Sequence, residues 1–276
     1  MQTTFSTSNA TTRQPAVAGM FYPAGREQLH KDVQTYLKGI TIPHADPVPK
    51  AIIAPHAGYV YSGPVAASAY ARLLPARDRI HRVVLLGPSH RVPFRGLATS
   101  SADAFTTPLG SISLDHAAIQ KLAVLPQVHS LDQAHTLEHS LEVHLPFLQE
   151  VLDDFQLVPL VVGDASPAEV AEVLETLWGG PETLIVISSD LSHYHDYANA
   201  KRMDRRTSDA IEGLRAEAIH SEDACGCVPV SGLLYLAREH GLHASTVDLR
   251  NSFDTAGNNA GGSREQVVGY GAYVFN

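Results

Sequence analysis

The feature that most constrains this chain is a rhythm: short, β-branched apolar runs alternate with amphipathic segments over most of its 276 residues. Ala51–Ala54, Arg82–Leu86, Leu157–Val162, Leu184–Ile187 and Thr246–Leu249 read as buried strands, and Gln266–Phe275 closes the sheet. Between them the spacing predicts helices at Arg26–Leu37, Pro64–Leu74, His116–Ala123, Leu137–Leu152, Pro167–Trp178, Ala198–Leu214 and Pro229–Glu239. Ser166 before Pro167 with Glu169 beyond makes a capping arrangement, Ser62-Gly63-Pro64 reads as a helix start, and Gly241 falls where a left-handed residue ends a helix. Strand–helix alternation implies an α/β fold: one domain with a mainly parallel central sheet covered by helices on both faces. Residues 1–14, rich in Ser, Thr, Asn and Gln, read as a mobile N-terminal tail, and 15–276 as the folded domain. Thr255–Ser263 reads as a flexible Gly/Asn-rich loop.

Three apolar runs end in polar loops that carry a histidine: IIAPHAGY at His56, VVLLGPSH at His90 and LIVISSDLSH at His193. In open α/β sheets ligands bind at the carboxyl ends of strands, so three histidines in equivalent positions point to one site. The segment HTLEHSLEVHLPFL would place His135, Glu138, His139 and Glu142 on neighbouring turns of a helix lining the pocket. Either glutamate could accept from a histidine ring and fix its tautomer, or stand as a solvated charge. The spacing is not H-E-x-x-H, which leaves a zinc hydrolase with little support. Cys225-Gly226-Cys227 precedes an apolar helix whose dipole would favour a thiolate, the alternative being a pair of small buried side chains.

Composition narrows the function. A formal charge of −9 with only short basic clusters excludes a nucleic-acid partner. No apolar run reaches the ~20 residues of a membrane span, and the start resembles neither a signal nor a transit peptide, so a cytoplasmic location is expected. Fifteen histidines raise the question of a metal, and two closely spaced cysteines read as thiols rather than a disulfide staple. GxGxxG, Walker and GxSxG motifs are absent from the sequence.

The motifs RQPAVAGMFYP (13–23), PHAGYVYSG (55–63), LLGPSHRVP (85–93), TPLG (107–110), EHSLEVHLPFL (138–148), VPLVVGD (158–164), SSDLSHY ending at Tyr194, and ACGCVPV (224–230) together resemble the Memo family. This family includes the microbial members called AmmeMemoRadiSam system protein B. The resemblance implies the fold of class III extradiol dioxygenases, in which two histidines and a glutamate hold Fe(II). It implies metal ligands at His56, His90 and Cys225, the cysteine standing in place of the dioxygenase glutamate. His193 matches the acid/base, His139 a second pocket histidine, and Asp190 lies beside them. Thiolate for carboxylate shifts the expected ion to Fe(II) or Cu(I), with Zn(II) as the alternative. Cys227 stands where arginine is expected in animal relatives, so either sulfur could be the ligand. The resemblance implies a metal-dependent oxidoreductase acting on a small molecule or peptide, or a non-catalytic metal-binding, redox or peptide-binding protein. It also implies a functional link to a radical SAM protein and an AMMECR-type protein.

Overall fold

The computed structural model describes residues 11–42, 47–257 and 262–276. Its strands are β1 (Thr12–Arg13), β2 (Ala51–Ala54), β3 (Arg82–Pro88), β4 (Leu97–Thr99), β5 (Ala104–Thr107), β6 (Gly110–Ser113), β7 (Val128–Ser130), β8 (Gln156–Val162), β9 (Thr183–Ser188), β10 (His193–His195), β11 (Ala244–Asn251) and β12 (Val267–Phe275). The helices are α1 (Arg26–Lys38), α2 (Tyr59–Tyr70), α3 (His116–Lys121), α4 (Asp132–Thr136), α5 (Leu145–Val151), α6 (Pro167–Thr176), α7 (Tyr197–Glu212), α8 (Cys227–Glu239) and α9 (Ser252–Ala256).

The main sheet runs β10-β12-β2-β9-β3-β8-β4-β7, with β11 on the other side of β12. Its centre, β2-β9-β3-β8, is parallel, whereas β12 is antiparallel to β2, β10 and β11, and β4 is antiparallel to β8. The central strands are apolar throughout because both faces are covered. Ile52, Val83, Leu85, Leu184 and Val186 point into one core with α1, α2 and α5. Their neighbours Ile53, Val84, Leu86, Ile185 and Ile187 point into the other with α6 and α8. Leu29, Val33 and Leu37, one per turn, give α1 its buried stripe. Among the described residues no helix is long and apolar enough to cross a membrane.

The Ser166–Glu169 capping box forms, and Gly241 adopts φ 67° just past α8. Other expectations are corrected. The helix expected from Pro64 starts at Tyr59, whose N–H is tied to Phe21 O at 2.7 Å, and Pro64 lies inside it. The helix expected over 137–152 is interrupted: α4 ends at Thr136, residues 142–144 form a 3-10 turn, and α5 begins at Leu145. The Glu138 carboxylate accepts the N–H groups of His139 and Ser140, both at 3.0 Å, and Ser140 Oγ donates to Pro88 O at 2.8 Å. Such side-chain bonds offer the backbone an alternative to helix.

A second sheet, β1-β5-β6, was not anticipated. Through β1 the chain is engaged from Thr11 onward, so positions 11–14 belong to the fold rather than to a tail; positions 1–10 lie outside the described residues. Thr255 and Ala256 close α9, while 258–261 of the expected loop are likewise outside the described residues. Gly96 leads into β4 with φ 83°, and a Cβ there would sit 2.1 Å from Gln127 O, a backbone atom. Gly96→Ala should therefore cost about 2–3 kcal/mol in urea unfolding, from left-handed strain plus overpacking. A change under about 0.5 kcal/mol, the size of a neutral surface substitution, would contradict this packing.

Candidate metal centre

His56 lies two residues past β2 and His90 two past β3, parallel strands on either side of β9, so both reach the carboxyl edge of the sheet. His56 is 2% exposed. Its N–H donates to Asp190 Oδ1 at 2.8 Å, and its Nδ1 lies 2.6 Å from Ser188 Oγ. Ser188 spends its own proton on Ser140 O at 2.6 Å, so at His56 it must accept. The proton of His56 is thereby on Nδ1, and Nε2 presents a bare lone pair.

His90 is fixed in the same sense. Glu138 takes its N–H on Oε2 at 2.6 Å and its ring Nδ1 on Oε1 at 2.8 Å, again leaving Nε2 free. Burial alone would raise the Glu138 carboxyl, but the His90 ring, the His90 N–H and the Ser140 N–H outweigh it and hold the pKa at about 2. The carboxylate is therefore ionised at neutral pH and locks the ring.

His139 completes the group. Its ring stacks on His90 with centroids 4.6 Å apart, and His56 crosses both edge-on at 5.2 and 5.5 Å. One ring nitrogen from each of His56, His90 and His139 can be chosen so that all lie within 4.8 Å of one another. His139 Nδ1 is buried with no hydrogen-bond partner; the nearest charge is the Glu138 carboxylate at 3.4 Å. Burial first, and then the other histidines, hold the pKa values of His56 and His139 below the ordinary range, so both are neutral, as ligands must be. Three convergent imidazoles, two with Nδ1 held by hydrogen bonds, can hold a metal ion.

The other expected residues fall around this group. Cys225 Sγ lies 3.5 Å from His56 Nε2 and accepts the Asp190 N–H at 3.3 Å. Burial, followed by the nearby Asp190 charge, pushes the Cys225 thiol up to about 12, the reverse of the thiolate expected from the helix dipole. The helix starts only at Cys227, and desolvation outweighs its field. Cys227 is also pushed up by burial. Asp190 is buried, which raises its carboxyl, and the His56 N–H partly offsets that. His193 opens β10; its charge is felt at both His56 and Asp190, and it stands outside the three-histidine group.

His135 belongs elsewhere, with Nε2 on Ala98 O at 3.0 Å, and burial pushes it down to about 4. Glu142 is not a pocket residue either: it receives Arg13, the N–H groups of Ala16 and Val17, and Tyr22 OH. Sequence reading missed Ser188 and Ser140, because a serine at the end of an apolar run carries no signal until its partner is known.

Glu138→Gln should keep the fold and weaken metal binding by roughly 10–100-fold, because the neutral amide no longer compels His90 to protonate Nδ1. Competitive titration with a chelating indicator measures it; unchanged affinity would contradict the role assigned to Glu138.

Comparison with known proteins agrees with this architecture. A family model described as Memo-like protein matches residues 13–274. A MEMO1 family protein of Aquifex aeolicus is 37% identical over 275 residues, covering 95% of this chain and 98% of the relative. One from Archaeoglobus fulgidus is 36% identical over 277 residues, covering 95% and 99%. The crystal structure of uncharacterized protein JW3007 from Escherichia coli K12 is similar in fold alone, with TM-score 0.50 at 12% identity over 83% of this chain and 100% of that one. On a match that runs from the first buried arginine to the last strand, the chain belongs to the Memo-like protein family.

Proposed function

We propose that this protein holds one redox-active metal ion at His56, His90 and His139, with Cys225 as a sulfur donor beside them, and acts as a metal-dependent oxidoreductase on a small molecule. The observation that carries the reading is the convergence of three imidazoles, two of them with Nε2 left free by hydrogen bonds at Nδ1. Imidazoles joined by a soft sulfur favour Fe(II) or Cu(I), with Zn(II) as the runner-up. When bound, such an ion supplies electron transfer and polarisation of a coordinated oxygen.

The chain's own residues supply the rest. Glu138 and Ser188 orient the His90 and His56 rings so that Nε2 of each faces away from its Nδ1 hydrogen bond. Asp190 anchors the His56 main chain and the Cys225 sulfur at once. His193, close enough for its charge to be felt at His56 yet outside the ligand group, is placed to take or give a proton. The setting is cytoplasmic, as the composition leads one to expect.

Cys225→Ser should weaken Cu(I) binding much more than Cys227→Ser, because only Cys225 places its sulfur beside a histidine of the cluster. Competitive Cu(I) titration of both variants checks this, and equal losses would mean that the two sulfurs act jointly. The catalytic reading is tested by oxygen-uptake screening of protein reconstituted with each metal. A substrate-dependent rate that His193→Ala abolishes without metal loss supports it. Tight one-to-one metal binding with no such rate makes the protein a metal carrier instead.

A further inference from the structure

We infer that the cavity opening beside the metal centre is a binding pocket for small monocarboxylates with an apolar body, and that Arg91 is the residue that selects them. The cavity measures about 400 Å³, large enough for a small molecule, and His90 and Cys225 are among its lining residues. It lies off the carboxyl ends of β3 and β8, whose last residues, Pro88 and Val162, are in its wall. In a sheet of this kind that crevice is where ligands bind. Because His90 and Cys225 line it, the ligand's role rests on the function proposed above.

Phe94, Val92, Val162, Val228 and Pro229 offer apolar contact, and the one lining hydroxyl, Ser89, spends its proton on Val92 O at 2.7 Å. Two charges lie at the cavity, Arg91 and Asp164. Arg91 follows His90 in sequence, its charge is felt at His139, and among the described residues it has no hydrogen-bonded or ion-paired side-chain partner. An exposed guanidinium that bonds no carboxylate and lines a largely apolar cavity matches the two oxygens of a carboxylate. Asp164 is exposed and repels a second negative charge, so one carboxylate fits and a dianion does not. A cationic head would meet Arg91 directly.

The test titrates the full-length chain, metal-free and metal-loaded, with benzoate, benzyl alcohol and benzylamine, following ligand NMR line broadening. Benzoate should bind about tenfold or more tightly than benzyl alcohol, and Arg91→Gln should abolish that advantage while leaving benzyl alcohol unchanged. Phe94→Ala should weaken both, and Asp164→Asn should tighten benzoate alone. Failure of benzoate to bind, equal binding of the neutral or cationic probe, or benzoate binding that survives Arg91→Gln overturns the inference. Loss on His90→Ala combined with indifference to Arg91→Gln overturns it too, since the carboxylate would then sit on the metal. Arg91-dependent benzoate binding by a protein that takes up no metal leaves the pocket standing and removes the metal function. One-to-one metal uptake without Arg91-dependent discrimination does the opposite.

Discussion

Glu142→Ala will destabilise the protein by about 4 kcal/mol, a large share of the 5–15 kcal/mol that holds a typical domain folded. The Glu142 side chain is fully buried and the Arg13 side chain is 6% exposed. Removing the carboxylate leaves that guanidinium in the interior with only two backbone carbonyls, His135 O at 3.0 Å and Glu138 O at 2.7 Å. It also strips the acceptor from Ala16 N–H at 2.8 Å, Val17 N–H at 3.0 Å and Tyr22 OH at 2.6 Å. An unpaired buried charge costs far more than its pair contributes, so the double change Arg13→Met with Glu142→Leu should recover a good part of the loss. Urea unfolding of the three proteins measures both statements. A Glu142→Ala loss below about 1 kcal/mol would mean that water, not the carboxylate, satisfies this knot.

His56→Ala and His90→Ala will each abolish stoichiometric metal binding while leaving the fold in place. Both side chains lie on loops past the strand ends, and neither contributes to the apolar cores on the two faces of the sheet. Removing one of the three convergent nitrogens breaks the triangle of imidazoles, and the two that remain with the Cys225 sulfur no longer compete with solvent and buffer for the ion. Far-ultraviolet circular dichroism should be unchanged for both, whereas elemental analysis should show less than roughly a tenth of the wild-type metal, from the loss of one histidine ligand. His193→Ala should keep its metal, since that ring stands outside the ligand group. Metal loss there would move His193 among the ligands.

Much of this was legible before any coordinates. The central strands announce themselves because burial on both faces demands uninterrupted Val, Ile and Leu, and β2 appears with the bounds read from sequence. His56 and His90 were legible because a histidine just past such a run has one natural place to go. Strands of two to four residues such as β1 and β7 have too little length for a period, and what holds β1 is a pairing with β5 some 90 positions away. The break after Thr136 was hidden for a related reason. HTLEHSLEVHLPFL has the spacing of a helix, and only the meeting of Glu138 with His90, 48 positions earlier, shows the carboxylate diverted to the backbone. The direction of the Cys225 shift was misread because a helix dipole can be inferred locally, whereas burial beneath Asp190 cannot.

The central claim is that His56 and His90 from two strand-end loops and His139 from the loop after α4 form one metal site, and its most direct measurement is metal stoichiometry. Protein purified without an affinity tag is stripped with chelator, reloaded anaerobically with Fe(II), Cu(I) or Zn(II) in turn, desalted and analysed for metal per chain. The account predicts one tightly held ion per chain for Fe(II) or Cu(I), and none for His56→Ala. Wild-type protein that retains none of the three ions, or a His56→Ala variant that retains a full equivalent, would contradict it.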